Sequence, residues 1–122
     1  MKVLLTFYGE DLTGADPTPE RRKERFDAWA AFAEAAGDVL LAAEGLESPS
    51  VATTIRVGDG DRRVVDGPFM ESKEQLAGFA LLEVGDLDEA LAWAARTPWN
   101  GKGHVTEVRP VMQSPARASA AS

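Results

Sequence analysis

A chain of 122 residues with 44% apolar side chains has material for one domain with a true core, and too little for a second. Its formal net charge of -7 argues against a nucleic-acid partner, which would need clustered Lys and Arg. The runs Arg21-Arg22-Lys23 and Arg62-Arg63 are too short to reverse that balance. With no cysteine there is no disulfide framework, thiolate metal site or thiol nucleophile, and a cytoplasmic protein is the expectation.

In chain order, Met1 to Tyr8 is a short apolar run that meets Glu10 and Asp11 without a small-residue cleavage site. It is too short and too soon acidic for a signal peptide or membrane span, so it reads as a strand from Lys2 to Tyr8. Thr18-Pro19-Glu20 supplies a capping hydroxyl, a proline for the first helical position and an acid for the first turn. A helix to Gly37 is predicted, with Phe26, Trp29, Ala30, Ala33 and Ala36 as its apolar stripe. Strands follow at Val39 to Glu44, Ala52 to Val57 and Arg62 to Val65, the last two joined through the turn signal Gly58-Asp59-Gly60-Asp61. A strand at Gly78 to Val84 leads to a second helix, where Asp86 and Glu89 have capping-box spacing and Leu87, Ala90, Leu91 and Ala94 form the stripe. That helix ends near Thr97-Pro98, and a last strand runs from His104 to Met112.

Setting aside the hairpin, the order is βαββαβ, the ferredoxin-like α+β pattern, over a domain of residues 1–113. The small, polar segment 114–122 is expected to be a disordered tail. Two helices cover one face of such a sheet, yet Val39 to Ala43 and Phe79 to Val84 are apolar at odd and even positions alike. The second face therefore needs cover, and the expectation is a homodimer with sheets packed face to face. Its shared surface would include Leu40, Ala42, Ala80 and Leu82, or their odd-numbered neighbours.

Between two strand-like runs stands Asp66-Gly67-Pro68-Phe69, followed by Glu71, Lys73-Glu74-Gln75 and Gly78-Phe79. Together with Glu44-Gly45-Leu46, Pro49, Thr53-Thr54, Asp86 to Ala90 with Trp93, and Glu107-Val108-Arg109-Pro110-Val111, this stretch resembles the DGPF branch of the YCII-related family. The resemblance covers roughly Met1 to Met112. It implies a dimeric α+β barrel of ferredoxin-like subunits. Some DGPF domains occur beside extracytoplasmic-function sigma factors, which implies a possible sigma-factor link. A few YCII-like proteins act on small organic acids through a His-Asp pair whose histidine lies on the first helix. Here the corresponding Arg25-Phe26-Asp27-Ala28-Trp29 holds no histidine.

Among the candidate site residues, Glu44 ends an apolar strand, where partial desolvation would suit it to acid-base work. The sole histidine, His104, is either a proton shuttle or an exposed strand end. Asp66 is expected to accept backbone N–H bonds within its turn, and Phe69 to plug into apolar surface. Glu71, Lys73 and Glu74 either line a pocket mouth or keep a rim crossing wet. Arg109 shares a strand face with Glu107, so the two can pair. One histidine and no cysteine leave no ordinary zinc set within one chain, and no glycine-rich phosphate loop precedes a helix, so no metal or cofactor is expected. Any pocket is predicted between the first helix and the sheet near Glu44, with His104 or Lys73 as polar neighbours. Two functions fit: a dimeric small-ligand-binding or regulatory module, or a small lyase, isomerase or dehalogenase acting on an organic acid.

Overall fold

The computed structural model describes residues 1–10, 18–101 and 103–113, so the expected tail lies outside the described residues. Among the described residues six strands and two α-helices follow in the order β1 (Lys2–Gly9), α1 (Pro19–Ala36), β2 (Leu40–Gly45), β3 (Thr53–Gly58), β4 (Asp61–Asp66), β5 (Gln75–Glu83), α2 (Leu87–Arg96) and β6 (Val105–Pro110). Four strands form one antiparallel sheet in the order β2-β5-β1-β6, the ferredoxin-like arrangement, while among the described residues β3 and β4 pair only with each other.

Local signals set the element ends. The Thr18 hydroxyl accepts from the Arg21 N–H at 3.3 Å, and the Asp86 carboxylate accepts from the Glu89 N–H at 2.8 Å. The Glu89 carboxylate reaches back one residue further than an ordinary capping box, to the Gly85 N–H at 2.6 Å. The hairpin turns on Asp59-Gly60, and Gly60 takes a φ of 73°, in the left-handed region that glycine enters without steric cost. β5 starts three residues before the expected Gly78, because Gln75 and Leu76 still pair with the end of β1. β6 stops at Pro110, short of the expected Met112.

The core lies between the helices and one face of the sheet, built from Val3, Leu5, Phe7, Ala80, Leu82, Val84 and Ala90. In α1 the stripe that packs is Trp29, Phe32 and Ala36. Phe26, Ala30 and Ala33, expected beside them, are exposed. Ring contacts make the choice: Phe7 meets Trp29 edge-on at 5.3 Å, Trp29 meets Phe32 at 5.9 Å, and Phe32 meets Trp93 of α2 at 6.1 Å. In α2 Ala90 is buried with Trp93 and Ala94 beside it, whereas Leu87 and Leu91 stay half exposed.

The open face of the sheet has a definite parity. Leu40, Ala80 and Leu82 belong to the helix side, which leaves the odd-numbered alternative for the open face of the sheet. A bulge at Leu41 shifts the phase of β2, so that Ala42 stands opposite Leu81 on the open side. Across the four strands that face reads Ala42, Leu81, Leu4, Arg109 in one row and Glu44, Phe79, Thr6, Glu107 in the next. Leu4, Thr6, Phe79 and Leu81 are only half-buried in the single chain.

Candidate functional site

Where β1 and β2 end and β5 and β6 begin, the N-terminal half of α1 stands off the sheet and leaves a cleft of about 730 Å³. That is within the range of small-molecule sites, about 300–1,000 Å³. Its inner wall is aromatic. Trp99 and His104 stack at 4.1 Å with their planes 7° apart, and Trp99 lies 6.2 Å from Phe7, which leads on to Trp29.

One glycine makes this wall possible. A Cβ on Gly9 would come within 2.9 Å of the Trp99 ring and 3.1 Å of the His104 ring, so only a residue without a side chain lets the pair lie on the end of β1. The Trp99 indole N–H donates to the Tyr8 carbonyl at 3.0 Å and fixes the stack there. The His104 backbone N–H donates to the Gly101 carbonyl at 3.2 Å. Its ring Nδ1 is buried and has no hydrogen-bond partner.

The opposite wall comes from α1, where Arg22, Arg25, Phe26 and Trp29 line the space, and Glu10, Glu44 and Glu47 edge it. Aromatic surface beside guanidinium groups suits a compact organic anion, whose apolar part lies on rings while its charge meets an arginine.

The expected position between the first helix and the sheet near Glu44 is where the cleft lies, and Glu44 and His104 both line it. Lys73 does not. Glu44 is exposed at the edge of β2, in register with Phe79 on the open-face row, and so lacks the apolar enclosure expected for an acid-base carboxylate. Asp66 ends β4 opposite Thr53, and its turn is held by other groups: the Gly67 N–H donates to the Ala52 carbonyl at 2.7 Å and the Thr54 hydroxyl donates to the Gly67 carbonyl at 2.8 Å. Phe69, expected to be buried, is 66% exposed, with the Arg56 guanidinium 4.9 Å above its ring. Glu71, Lys73 and Glu74 are exposed on a crossing segment, which the Gln75 side-chain amide ties down by donating to the Met70 and Ser72 carbonyls, each at 2.9 Å. Arg109 forms the expected pair with Glu107 at 2.6 Å on the open face, away from the cleft. Among the described residues no three His, Asp or Glu side chains gather where they could hold a metal ion. No helix among them is long and apolar enough to cross a membrane.

Gly9, Arg25, Trp29 and Trp99 were not among the sequence candidates for the site. A glycine closing an otherwise apolar strand is the signal that could have found the first of them, since it marks close approach by another group.

A model of the YCII-related domain matches residues 1–114, from before β1 to beyond β6. The chain belongs to the YCII-related family. A 45-residue stretch is also similar, at 51% identity, to an uncharacterised protein of Rhizobium meliloti strain 1021. That match covers 37% of this chain and 36% of the relative. The YCII-related match takes in every element that builds the cleft and also the β3–β4 hairpin.

Proposed function

We propose that this YCII-related protein, of the DGPF branch, is a homodimeric module that binds a small organic acid in the cleft between α1 and the sheet. The observation that carries the reading is the aromatic wall of Phe7, Trp29 and Trp99 facing Arg25 across an open space of ligand size. The Arg25 guanidinium takes the carboxylate, the rings take the apolar body, and the acids at the rim disfavour dianions. Homodimer formation covers Leu4, Phe79 and Leu81 on the open sheet face, as in a dimeric α+β barrel. A regulatory role beside a sigma factor fits the same module, with the bound acid as its signal.

Titration with benzoate, hexanoate and the uncharged benzamide, followed by tryptophan fluorescence, tests this, because Trp29 and Trp99 line the cleft. Saturable quenching by at least one of the acids, absent with benzamide and weakened at least tenfold in Arg25→Gln, is expected. Fluorescence unmoved by every probe overturns the organic-acid reading. The second reading, a small enzyme working through Glu44 or His104, is favoured only by both residues lining the cleft. Conversion of a bound acid by the wild type that disappears in His104→Ala would replace the module with the enzyme.

A further inference from the structure

The β3–β4 hairpin takes no part in the cleft, and its own packing is unfinished. Among the described residues β3 and β4 pair as strands only with each other and make no extended packing against the helices or the four-stranded sheet. Every residue of β4 is exposed, and every residue of β3 but Thr54. An isolated two-stranded hairpin is at best marginally stable in water. Yet this one carries Ile55, Val57 and Val64 on one face and Val65 on the other, with Phe69 and Met70 just beyond, all more than half exposed. Ile55, Val57 and Val64 thus make one continuous apolar strip along a single face of the hairpin.

We infer that the β3–β4 hairpin is an arm that clasps a second copy of this chain, its Ile55–Val57–Val64 strip lying against the partner. The inference rests on the homodimer proposed above and says which surface makes it hold. Three observations favour a second copy over an unrelated protein. Arg56, Arg62 and Arg63 balance Asp59, Asp61 and Asp66, so the arm is neutral and the whole net charge of -7 lies on the rest of the chain. Two such acidic bodies repel, and the arm is where they approach without that penalty. The same chain offers a second uncovered apolar surface, the open sheet face, so one two-fold operation covers both. Finally, the arm is pre-set: the Gly67 and Thr54 hydrogen bonds clamp its base, which lowers the ordering cost of docking. At about 20 Å for six residues it reaches beyond the roughly 10 Å that separates two packed sheets.

Sedimentation equilibrium of the full chain, of Val57→Lys/Val64→Lys and of Leu81→Lys separates this inference from the dimer itself. A wild-type dimer whose dissociation constant rises at least tenfold in the arm variant, with near-ultraviolet circular dichroism of the tryptophans unchanged, is the expected result. A wild-type dimer that the arm variant leaves equally tight, while Leu81→Lys breaks it, overturns the arm and keeps the sheet-face dimer. A wild type that is monomeric at every concentration overturns both. Because the chain has no cysteine, a nitroxide on Val57→Cys gives a reading that does not depend on the lysine variants folding. A label immobilised at dimer concentrations and freed on dilution supports the arm. A label mobile throughout overturns it.

Discussion

β1 and β4 look alike as sequence, each a short run with β-branched residues, but they end in opposite environments. Val3 and Leu5 of β1 are 0% exposed, while Val64 and Val65 of β4 are 51% and 53% exposed. β1 is central, flanked by β5 and β6 and roofed by two helices, whereas β4 has a single neighbour and no roof. The same residue types therefore carry different energies. In β1 they hold the domain together. In β4 they gain no burial within the chain, and if the inferred arm docks, their contribution depends on protein concentration.

The contrast is broken most severely in the core. Replacing Leu82 by Ala should lower unfolding free energy by about 2–5 kcal/mol, whereas Val64→Ala in dilute protomers should change it by less than about 0.5 kcal/mol. Urea titration at low protein concentration reads both, and comparable losses would dissolve the distinction between the two regions. Gly9→Ala comes next, at about 1–3 kcal/mol, because the new methyl meets the Trp99 ring at 2.9 Å. It should also change near-ultraviolet circular dichroism and weaken acid binding, whereas a glycine substituted in the hairpin turn would leave the cleft unchanged.

Phe69→Ala sharpens the comparison from the other side. In separate protomers it removes an exposed ring and one cation–π contact with Arg56, for a loss below about 1 kcal/mol. Arg56 lies on the hairpin face opposite the Ile55–Val57–Val64 strip, so the loss should be the same where the arm is docked, and a loss that grows there would show that the partner covers the other face. The smallest effect is electrostatic. The Met1 ammonium bonds Glu83 at 2.8 Å and holds its carboxyl below its ordinary value, first through that hydrogen bond. A lowered carboxylate contributes stability above its unfolded value and loses it as pH falls through the folded one. Glu83→Gln should therefore flatten a shallow acid-side decline of stability while leaving the neutral-pH midpoint nearly unchanged, since the pair is exposed.

The elements that were legible in the sequence are those decided within a few residues. Thr18 and Asp86 marked helix starts, Asp59-Gly60 a turn, and the run of elements the ferredoxin-like order. What was not legible depends on distant neighbours. Nothing near Phe26 says that Phe32 will be the buried ring; the choice is made by Trp29 meeting Phe7 and by Trp93 on α2. The parity of the open face turned on one extra residue at Leu41, invisible where Leu40, Leu41, Ala42 and Ala43 are all apolar. The position of the cleft could be foreseen from Glu44, but its aromatic wall could not, since Trp99 and Tyr8 come together across 91 residues. The chain bends after Asp66 as expected, but the Gly67 N–H and the Thr54 hydroxyl hold the bend rather than the Asp66 carboxylate. The exposure of Phe69 was not legible, because an aromatic residue does not announce whether its cover lies in the same chain.

The central position of β1 bears on how the protein is made. β1 has its two neighbours at Gln75–Glu83 and Val105–Pro110, so it has no strand to pair with until the much later β5 has been synthesised. At about 5–20 residues per second, Val3, Leu5 and Phe7 wait some seconds in the open. The β3–β4 hairpin, whose strands are joined by two residues, closes within microseconds of emerging. During synthesis β1 therefore emerges before the hairpin yet is enclosed after the hairpin has closed: what the arm needs is adjacent in sequence, and what the core strand needs is not.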